Sequence, residues 1–181
     1  MPNYDLVALW EEHCRHEFET RDASATMATM VAEPYVNHIP TMTGGVGHDQ
    51  LKRFYAYHFI PVNPPDFLLV PVSRTVGTSA IVDEFVLRFT HTTQIDWMLP
   101  GIPPTGRPVE VPMVAIVKFE GDKLVNEHIY WDQASVLVQI GLLDPRGLPV
   151  AGAETAYKLL DQSLPSNRLM ERWRESEGKP S

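Results

Sequence analysis

The sequence has little cysteine: Cys14 is the single one among 181 residues. One thiol cannot form an internal disulfide, and no second cysteine is present to share a metal ion with it. Proteins without disulfides are typical of a reducing compartment, so we expect a cytoplasmic protein. The sequence also lacks an apolar run near the roughly 20 residues that a membrane helix needs, and its acidic start lacks the charged and apolar segments of a secretory signal.

Positive charge is scarce as well. Lys and Arg total 15 against 23 Asp and Glu, which gives a formal net charge of -8, and the basic residues are scattered. Binding to nucleic acid or to an anionic membrane requires a concentrated basic patch, so we expect neither as a partner. The sequence contains no phosphate-binding loop, dinucleotide glycine fingerprint or nucleophile elbow. Nucleotide and hydride-transfer chemistry therefore have no support.

Helical patterning comes first in the chain. Apolar residues recur at helical spacing between residues 4 and 18. Asp22 is placed to cap a second helix over residues 23–30, which Pro34 is expected to end, and a third helix is expected to start at His48. A short extended piece at residues 35–38 is stopped by Pro40 and by a turn at Gly44 and Gly45.

Strand patterning follows, and this order predicts an α+β fold rather than alternating βαβ units. The connection before Pro108 is rich in proline and glycine and carries Trp97 and Met98, which are expected to cover or line a pocket. We expect the domain to span residues 1–143 and a C-terminal extension with one short helix and a flexible end to span 144–181. The four β-rich runs cover approximately residues 66–76, 79–91, 109–119 and 123–131.

Three polar residues share one side of the last β-rich run if it stays extended: His128, Tyr130 and Asp132. A carboxylate beside a histidine and a phenol in an apolar cavity is suited to proton transfer. The alternative for Asp132 is a structural one, because aspartate before an apolar helical run is a common N-cap. The two roles can coexist.

The run over residues 81–91 has one side that is predicted to form a cavity wall. That side collects Asp83, Phe85, Leu87, Phe89 and His91. On the other side, Glu84 and Arg88 are close enough to belong to one ion-pair cluster. His91 could face the pocket mouth, although a histidine at a strand end is more often structural.

Metal binding is expected to be absent. His38, His91 and His128 are potential zinc ligands, but their irregular separations match no standard ligand spacing. His38 follows a short strand that could aim its ring inward. His13 and His16 lie at positions i and i+3 of the first helix, and with nothing nearby in sequence to complete a site we expect them at the surface.

Two segments of the sequence resemble the SnoaL-like polyketide cyclases of the nuclear transport factor 2-like superfamily. The first is FTHT at residues 89–92 followed by LPGIPPTGRPVEV at 99–111, and the second is DQASVLVQIG at 132–141. Together with VNHIP at 36–40, the resemblance covers approximately residues 6–143. Each motif alone is loose, whereas their order and spacing together are fairly specific.

The resemblance implies a cone-shaped, strongly curved antiparallel sheet around a pocket closed by the N-terminal helices, commonly in homodimers. It implies that Asp132 is a general acid/base in ring closure of a small hydrophobic carbonyl compound, without metal or cofactor. His38, His91 and His128 would orient the substrate or polarise a carbonyl oxygen, as neutral donors or cations. The expected pocket residues are Tyr130, Trp131, Phe85, Leu87, Phe89, Trp97 and Met98.

The resemblance leaves the activity open, because the same fold serves several chemistries. Tyr130 and Trp131 make the approach to Asp132 bulky for a polycyclic substrate. The arginine and aspartate pair of limonene-type epoxide hydrolases is missing, since Phe89 and Thr90 follow Arg88. The sequence therefore predicts a cyclase, isomerase or lyase, and the alternative is a non-catalytic ligand-binding or dimeric assembly module.

Overall fold

Three helices pack near the start of the chain in the computed structural model, which describes residues 4–179. The side chain of Asp5 accepts a hydrogen bond from the amide of Ala8, and that of Asp22 accepts from Ser24 and Ala25, so both acids act as helix caps. The cap predicted at Asp22 is confirmed. The helices are α1 at Leu6–Phe18, α2 at Ala23–Ala28 and α3 at His48–Phe54, and α3 continues into a π-helical turn at Tyr55–Phe59 and a 3-10 turn at Ile60–Val62.

Six strands form one curved, unclosed sheet in the order β2-β1-β6-β5-β4-β3. Neighbouring strands are antiparallel, except that β1 and β6 run parallel. The register shifts between Met30 and Tyr35, between Pro71 and Ser73, and between Lys118 and Phe119, and such bulges bend a strand. The strands are β1 at Met30–His38, β2 at Thr43–Val46, β3 at Leu68–Val76, β4 at Ala80–Thr90, β5 at Pro108–Glu120 and β6 at Lys123–Trp131.

The first strand starts earlier than the sequence predicts. Pro34 lies inside β1 and does not end α2, which finishes at Ala28. Proline has no amide hydrogen to donate, and it lies where the pairing of β1 with β6 is interrupted before Tyr35. The predicted turn at Gly44 and Gly45 is also wrong, because both glycines belong to β2, which pairs with β1.

Two α-helices and a 3-10 helix at Glu171–Ser176 follow the sheet. Gln133–Gln139 forms α4, and Gly141 follows it with a φ of 78°, in the left-handed region that ends many helices. Glu154–Leu160 forms α5, and the hydroxyl of Ser135 donates to the carbonyl of Gly152 at 2.9 Å before it. No helix within residues 4–179 is long and apolar enough to cross a membrane.

The hydrophobic core lies between the helices and the concave face of the sheet. Alternate residues of β5, from Val109 to Val117, are buried on that face. The loop between β4 and β5 adds Trp97, Met98 and Leu99, all at most 2% exposed, so this loop closes one end of the sheet as a packed lid. The core does not fill the concave face completely, and the remaining space is a cavity.

Candidate functional site

A cavity of about 580 Å³ lies between α1 and the concave face of the sheet. This volume is within the range of small-molecule sites in proteins. Its walls are mainly aromatic and aliphatic, which predicts a ligand with a substantial apolar surface. The aromatic side chains that line it are Trp10, Phe18, Tyr55, Phe59, Phe67, Phe85 and Trp97.

The buried end of the cavity holds a cluster of charged side chains, His13, Glu17 and Glu127. His13 Nε2 lies 3.2 Å from Glu17 Oε1 and 3.1 Å from Glu127 Oε1. His13 is completely buried, and both glutamates are less than 5% exposed. His13 and Glu17 come from adjacent turns of α1, and Glu127 comes from the concave side of β6. We call these three residues the buried triad.

The contacts of the buried triad fit a protonated imidazole, the state that the raised pKa of His13 favours. The hydroxyl of Thr29 donates to the carbonyl of Thr26 at 2.7 Å, so its oxygen is left to accept from His13 Nδ1 at 2.6 Å. His13 Nε2 faces the two carboxylates, so it also carries a hydrogen. Both ring nitrogens then donate, which is the state of an imidazolium ion.

The charges of the triad shift the pKa values of its members. Burial alone lowers the pKa of His13, but Glu17 and Glu127 outweigh that effect and raise the pKa to about 10. Burial raises the pKa of Glu17, while the positive charge of His13 works in the opposite direction. The triad therefore favours an imidazolium ion beside a glutamate whose pKa is raised by burial.

Tyr55 completes this end of the cavity. Its hydroxyl donates to Glu127 Oε1 at 3.1 Å, and the side chain is 1% exposed. Burial raises the pKa of Tyr55, so the phenol stays neutral and remains a donor. The hydrogen bonds from His13 and Tyr55 all end on Oε1 of the glutamates, which leaves Oε2 of each for a bound molecule.

The other end of the cavity opens at an ion-pair network. Arg74 on β3 donates through Nε and Nη2 to the carboxylate of Asp83 on β4 at 2.6 and 2.8 Å, and through Nη1 to Glu11 Oε1 at 2.9 Å. The indole nitrogen of Trp10 donates to Asp83 Oδ2 at 2.7 Å. This network ties α1 to the edge of the sheet and frames the entrance, and the single arginine in it is already paired.

His38 lies at the end of β1 and also lines the cavity, which supports the predicted inward aim of its ring. Its Nδ1 lies 3.2 Å from the carbonyl oxygen of Thr43. Burial lowers the pKa of His38 to about 4, so the ring is neutral at neutral pH. The indole of Trp97 packs against it with ring centroids 4.8 Å apart.

Asp132 lies outside the cavity. It is exposed and caps α4, where its Oδ1 accepts from the amides of Ala134 and Ser135 at 2.9 and 3.2 Å. His128 and Tyr130 share its side of β6, as predicted, but that side is convex: Tyr130 is 40% exposed and His128 packs on Tyr35. The physical reason is the strand alternation, which turns Glu127, Ile129 and Trp131 toward the concave face instead.

The other predicted site residues divide between the cavity wall and the surrounding core. Phe85, Leu87 and Trp97 line the cavity, as predicted. Phe89, Met98 and Trp131 are buried but are not part of its lining; Trp131 reaches it only through contacts with His38 and Trp97. His91 is fully buried beside Thr105, also outside the lining.

The predicted ion-pair cluster of Glu84 and Arg88 is wrong. Arg88 Nε donates to Glu110 on the neighbouring strand at 2.7 Å. Glu84 instead accepts from the hydroxyl of Ser73 at 2.8 Å. Cross-strand partners lie closer than residues four apart along one extended strand, so the sheet register decides these pairs.

The predicted surface position of His13 is also wrong, and the sequence did carry a signal for its burial. Leu6, Trp10, His13 and Glu17 recur every three or four residues, so they share one face of α1. Glu127 carries a similar signal, since it alternates with the apolar Ile129 and Trp131. Charged groups on apolar faces need a partner, and these are partners for one another.

The buried triad also has the composition of a metal site. One ligand atom from each of His13, Glu17 and Glu127 lies within 4.8 Å of the others. Imidazole with two carboxylates suits zinc or a similar divalent ion. The hydrogen bond between His13 Nδ1 and the hydroxyl of Thr29 resembles those that orient histidine ligands of metal ions. A metal ion there would have to displace the proton of His13 Nε2, which the two carboxylates hold strongly.

Comparison with known proteins identifies the fold. A family model described as a SnoaL-like domain matches residues 10–127, which include the buried triad and His38. Among curated proteins, none matches the chain.

Several solved structures share the architecture at low sequence identity. A nuclear transport factor 2-like protein of unknown function from Burkholderia pseudomallei is 21% identical, with a TM-score of 0.57 over 77% of this chain and 98% of that one. A candidate SnoaL-like polyketide cyclase from Jannaschia sp. CCS1 is 18% identical, with a TM-score of 0.57 over 80% and 99% of the two chains. IdmH, a candidate polyketide cyclase from Streptomyces antibioticus, is 20% identical, with a TM-score of 0.57 over 76% and 99%.

Proposed function

The chain belongs to the SnoaL-like domain family, and within it we propose that it is an acid/base enzyme of the cyclase, isomerase or lyase type that acts on a small apolar carbonyl compound. The observation that carries this proposal is the buried triad at the inner end of an apolar cavity. Titratable groups with strongly shifted pKa values in a cleft are characteristic of catalytic sites.

The proton carriers of the proposed reaction are Glu17 and Glu127. Burial raises the pKa of Glu17, which favours the protonated carboxyl group that the scheme needs to donate a proton to a carbonyl oxygen. Glu127 Oε1 accepts a hydrogen bond from Tyr55 and lies 3.1 Å from His13 Nε2, and its Oε2 is left to take a proton from the carbon next to that carbonyl. The substrate then becomes an enol without a free charge in the apolar cavity.

The same two groups complete the reaction. In a cyclisation, the enol carbon attacks a second carbonyl, the enol hydroxyl returns its proton to Glu17, and the protonated Glu127 protonates the new alkoxide oxygen. In an isomerisation, Glu127 returns its proton to another carbon of the dienol while Glu17 takes back the hydroxyl proton. Each glutamate is then in its starting state. His13 does not touch the substrate in this scheme, because both of its nitrogens are occupied within the triad. It acts as a positioning residue whose positive charge balances the carboxylates.

The proposal replaces the acid/base role that the resemblance implied for Asp132. An exposed carboxylate that caps α4 is surrounded by water and backbone amides. Such an environment offers a substrate neither orientation nor exclusion of water. Glu127 lies on β6, shortly before Asp132, and faces the cavity. The proposed carboxylate therefore comes from the concave side of β6.

Carbon-acid exchange tests this proposal without knowledge of the natural substrate. Small cyclic ketones and diketones are incubated with the protein in deuterium oxide, and mass spectrometry follows deuterium uptake next to the carbonyl. We expect uptake above the buffer rate for the wild type and a loss of about a hundredfold or more for Glu17→Gln and Glu127→Gln, in keeping with the usual contribution of general acid/base catalysis.

The control is Glu84→Gln, which changes a glutamate at the cavity entrance that belongs to neither the triad nor the proposed chemistry. Thermal unfolding verifies that every variant is folded. Equal exchange by wild type and Glu127→Gln would exclude the acid/base role. Tight ligand binding without exchange in any protein would favour the non-catalytic binding module.

A further inference from the structure

His38 offers a hydrogen-bonding group that the proposed proton transfer does not use. The side chain is 3% exposed and lies among aromatic rings, with Trp97 at 4.8 Å and Phe54 and Phe59 at 5.6 Å between centroids. A polar ring in such surroundings normally has partners for both nitrogens.

The contact at Nδ1 fixes the tautomer of the ring. The partner of Nδ1 is the carbonyl oxygen of Thr43, at 3.2 Å, and a carbonyl can only accept. Nδ1 therefore carries the hydrogen. Since burial lowers the pKa of His38 to about 4, the ring holds one proton at neutral pH. Nε2 then has a lone pair and acts as an acceptor.

The position of the Thr43 carbonyl is itself held. The hydroxyls of Thr43 and Thr41 both donate to the carbonyl oxygen of Trp97, at 2.8 and 2.7 Å, and the backbone of Thr43 pairs with that of His38 across β1 and β2. The hairpin and the lid loop therefore fix the ring orientation. Because the ring cannot turn over, Nε2 of His38 stays an acceptor and favours ligands that carry a hydrogen-bond donor.

Nε2 has no hydrogen-bond partner among residues 4–179, but it is not sealed off. In that part of the chain, the fully enclosed polar side-chain atoms without a partner are Asn63 Nδ2 and His91 Nε2. His38 lines the cavity, so its Nε2 reaches the space that a bound molecule would occupy. This nitrogen can therefore accept a hydrogen bond from a donor group of a bound ligand.

We infer that Nε2 of His38 accepts a hydrogen bond from a hydroxyl group of the substrate, which makes the substrate class an uncharged, hydroxylated apolar carbonyl compound. The carbonyl part of this inference rests on the proposed function, whereas the hydroxyl part rests on His38 alone. The resemblance implied that His38 orients the substrate or polarises a carbonyl oxygen, as a neutral donor or a cation. The Thr43 contact reverses that role, because the one hydrogen of the neutral ring is already used.

The charges around the cavity argue against an anionic substrate. Glu17 and Glu127 line its inner end, and Glu11, Asp83 and Glu84 line its entrance. The positive charges near them are already paired, Arg74 with Asp83 and Glu11, and His13 with the two inner glutamates. A carboxylate or phosphate on the substrate would meet like charge without a free cation.

Ligand pairs that differ in one hydroxyl group test the inference. The probes are 2-tetralone and its derivatives with one hydroxyl or one methoxy group at each position of the aromatic ring. Isothermal titration calorimetry measures their dissociation constants at pH 7. We expect one hydroxylated isomer to bind roughly tenfold or more tightly than both 2-tetralone and its methoxylated counterpart, because a buried acceptor left without a donor weakens binding.

The decisive variant is His38→Phe, which keeps a planar ring and removes the acceptor. We expect it to lose the preference for the hydroxylated isomer while it binds 2-tetralone within about threefold of the wild type, in keeping with the modest effects of shape-conserving swaps. His128→Phe is the matched control, since His128 lies on the convex side of the sheet. If His38→Phe does not fold, His38→Gln tests the same point, and we expect its amide oxygen to keep part of the preference.

Two outcomes would overturn the inference. One is a wild-type protein that binds every hydroxylated isomer no more tightly than 2-tetralone, and the other is a His38→Phe variant that keeps the full preference. Binding is measured without turnover, so these outcomes are separate from the fate of the proposed function. A Glu127→Gln protein that no longer exchanges deuterium but still prefers the hydroxylated isomer would support both.

Discussion

His13 Nε2 on α1 lies 3.1 Å from Glu127 Oε1 on β6, and both side chains are buried. This contact joins the first helix to β6, a central strand of the sheet, at the inner end of the cavity. Removing one partner from a buried ion pair leaves an uncompensated charge, which is much more costly than the loss of a surface pair. The groups proposed for chemistry therefore also contribute to holding α1 against the sheet.

The raised pKa of His13 predicts a loss of stability in alkaline solution. A free histidine has a pKa near 6.5, whereas that of His13 is about 10 in the folded protein. The stabilisation is fully present below pH 6.5 and decreases as the pH rises to about 10. By linkage, this shift corresponds to an upper limit of about 4 to 5 kcal/mol.

Urea unfolding at several pH values measures this effect. We expect the free energy of unfolding of the wild type to fall between pH 7 and pH 10 more steeply than that of His13→Gln. His16→Gln is the control, since His16 is a half-buried histidine of the same helix that contacts Glu12 and Thr20 instead of the triad. A wild type and a His13→Gln protein with parallel pH profiles would contradict the imidazolium state.

The lowered pKa of His38 predicts the opposite behaviour in acid. Its folded value is about 4, so the neutral ring contributes stability above pH 6.5, and this contribution is lost as the pH falls toward 4. The physical reason is that a charged imidazole among aromatic rings loses its hydration without gaining a counterion. We expect His38→Phe to unfold with less pH dependence than the wild type between pH 6.5 and 4, as followed by tryptophan fluorescence.

The main sheet could be predicted well from the sequence. The predicted runs at 66–76, 79–91 and 123–131 match β3, β4 and β6 to within two residues, because alternation and turn residues are local signals. The π-helical turn after α3 and the parallel pairing of β1 with β6 could not be predicted in this way. They depend on contacts between segments that are far apart along the chain.

The candidate site could be predicted only in part. The resemblance directed attention to Asp132 and to the histidines of the strands, of which His38 lines the cavity. His13 and Glu17 form a local pair, but their burial depends on Glu127, which reaches them only after the sheet has curved over α1. Local patterns can show a charged residue on an apolar face, whereas the identity of its partner follows from the tertiary fold.

Asp132 is predicted to matter for stability and not for turnover. Its side chain satisfies the amides of Ala134 and Ser135 at the start of α4, and replacement of such a cap by alanine typically costs about 1 kcal/mol. We expect Asp132→Ala to lower the free energy of unfolding by about that amount, and Asp132→Asn to lower it by less. Deuterium exchange by both variants should stay within about twofold of the wild type.

Loss of exchange in Asp132→Asn with unchanged unfolding would contradict this prediction and return the catalytic role to Asp132. The comparison with Glu127→Gln, measured in parallel, makes the assignment direct. Glu127 lies in the middle of β6 and faces the cavity, whereas Asp132 follows the strand and caps α4, so one is expected to affect exchange and the other helix stability.

The hairpin that fixes the tautomer of His38 depends on Gly44. This residue has a φ of 138°, and a Cβ at this position would lie 2.0 Å from the carbonyl oxygen of Val36. That oxygen belongs to the backbone of β1 and cannot move without disturbing the strand that carries His38. We expect Gly44→Ala to lower the free energy of unfolding by about 2 kcal/mol or more, as backbone strain and displacement add together.

Gly101→Ala is the matched control for the backbone conformation. Gly101 also has a positive φ, of 75°, but a Cβ there would have no neighbouring atom within 4 Å among the described residues. We expect it to cost about 1 kcal/mol, from conformational strain alone. Because β2 positions the Thr43 carbonyl, Gly44→Ala should also weaken the preference for hydroxylated ligands, and Gly101→Ala should not. Equal stability losses in the two variants would mean that β2 can shift away from β1 at little cost, and that the orientation of His38 is not held by this hairpin.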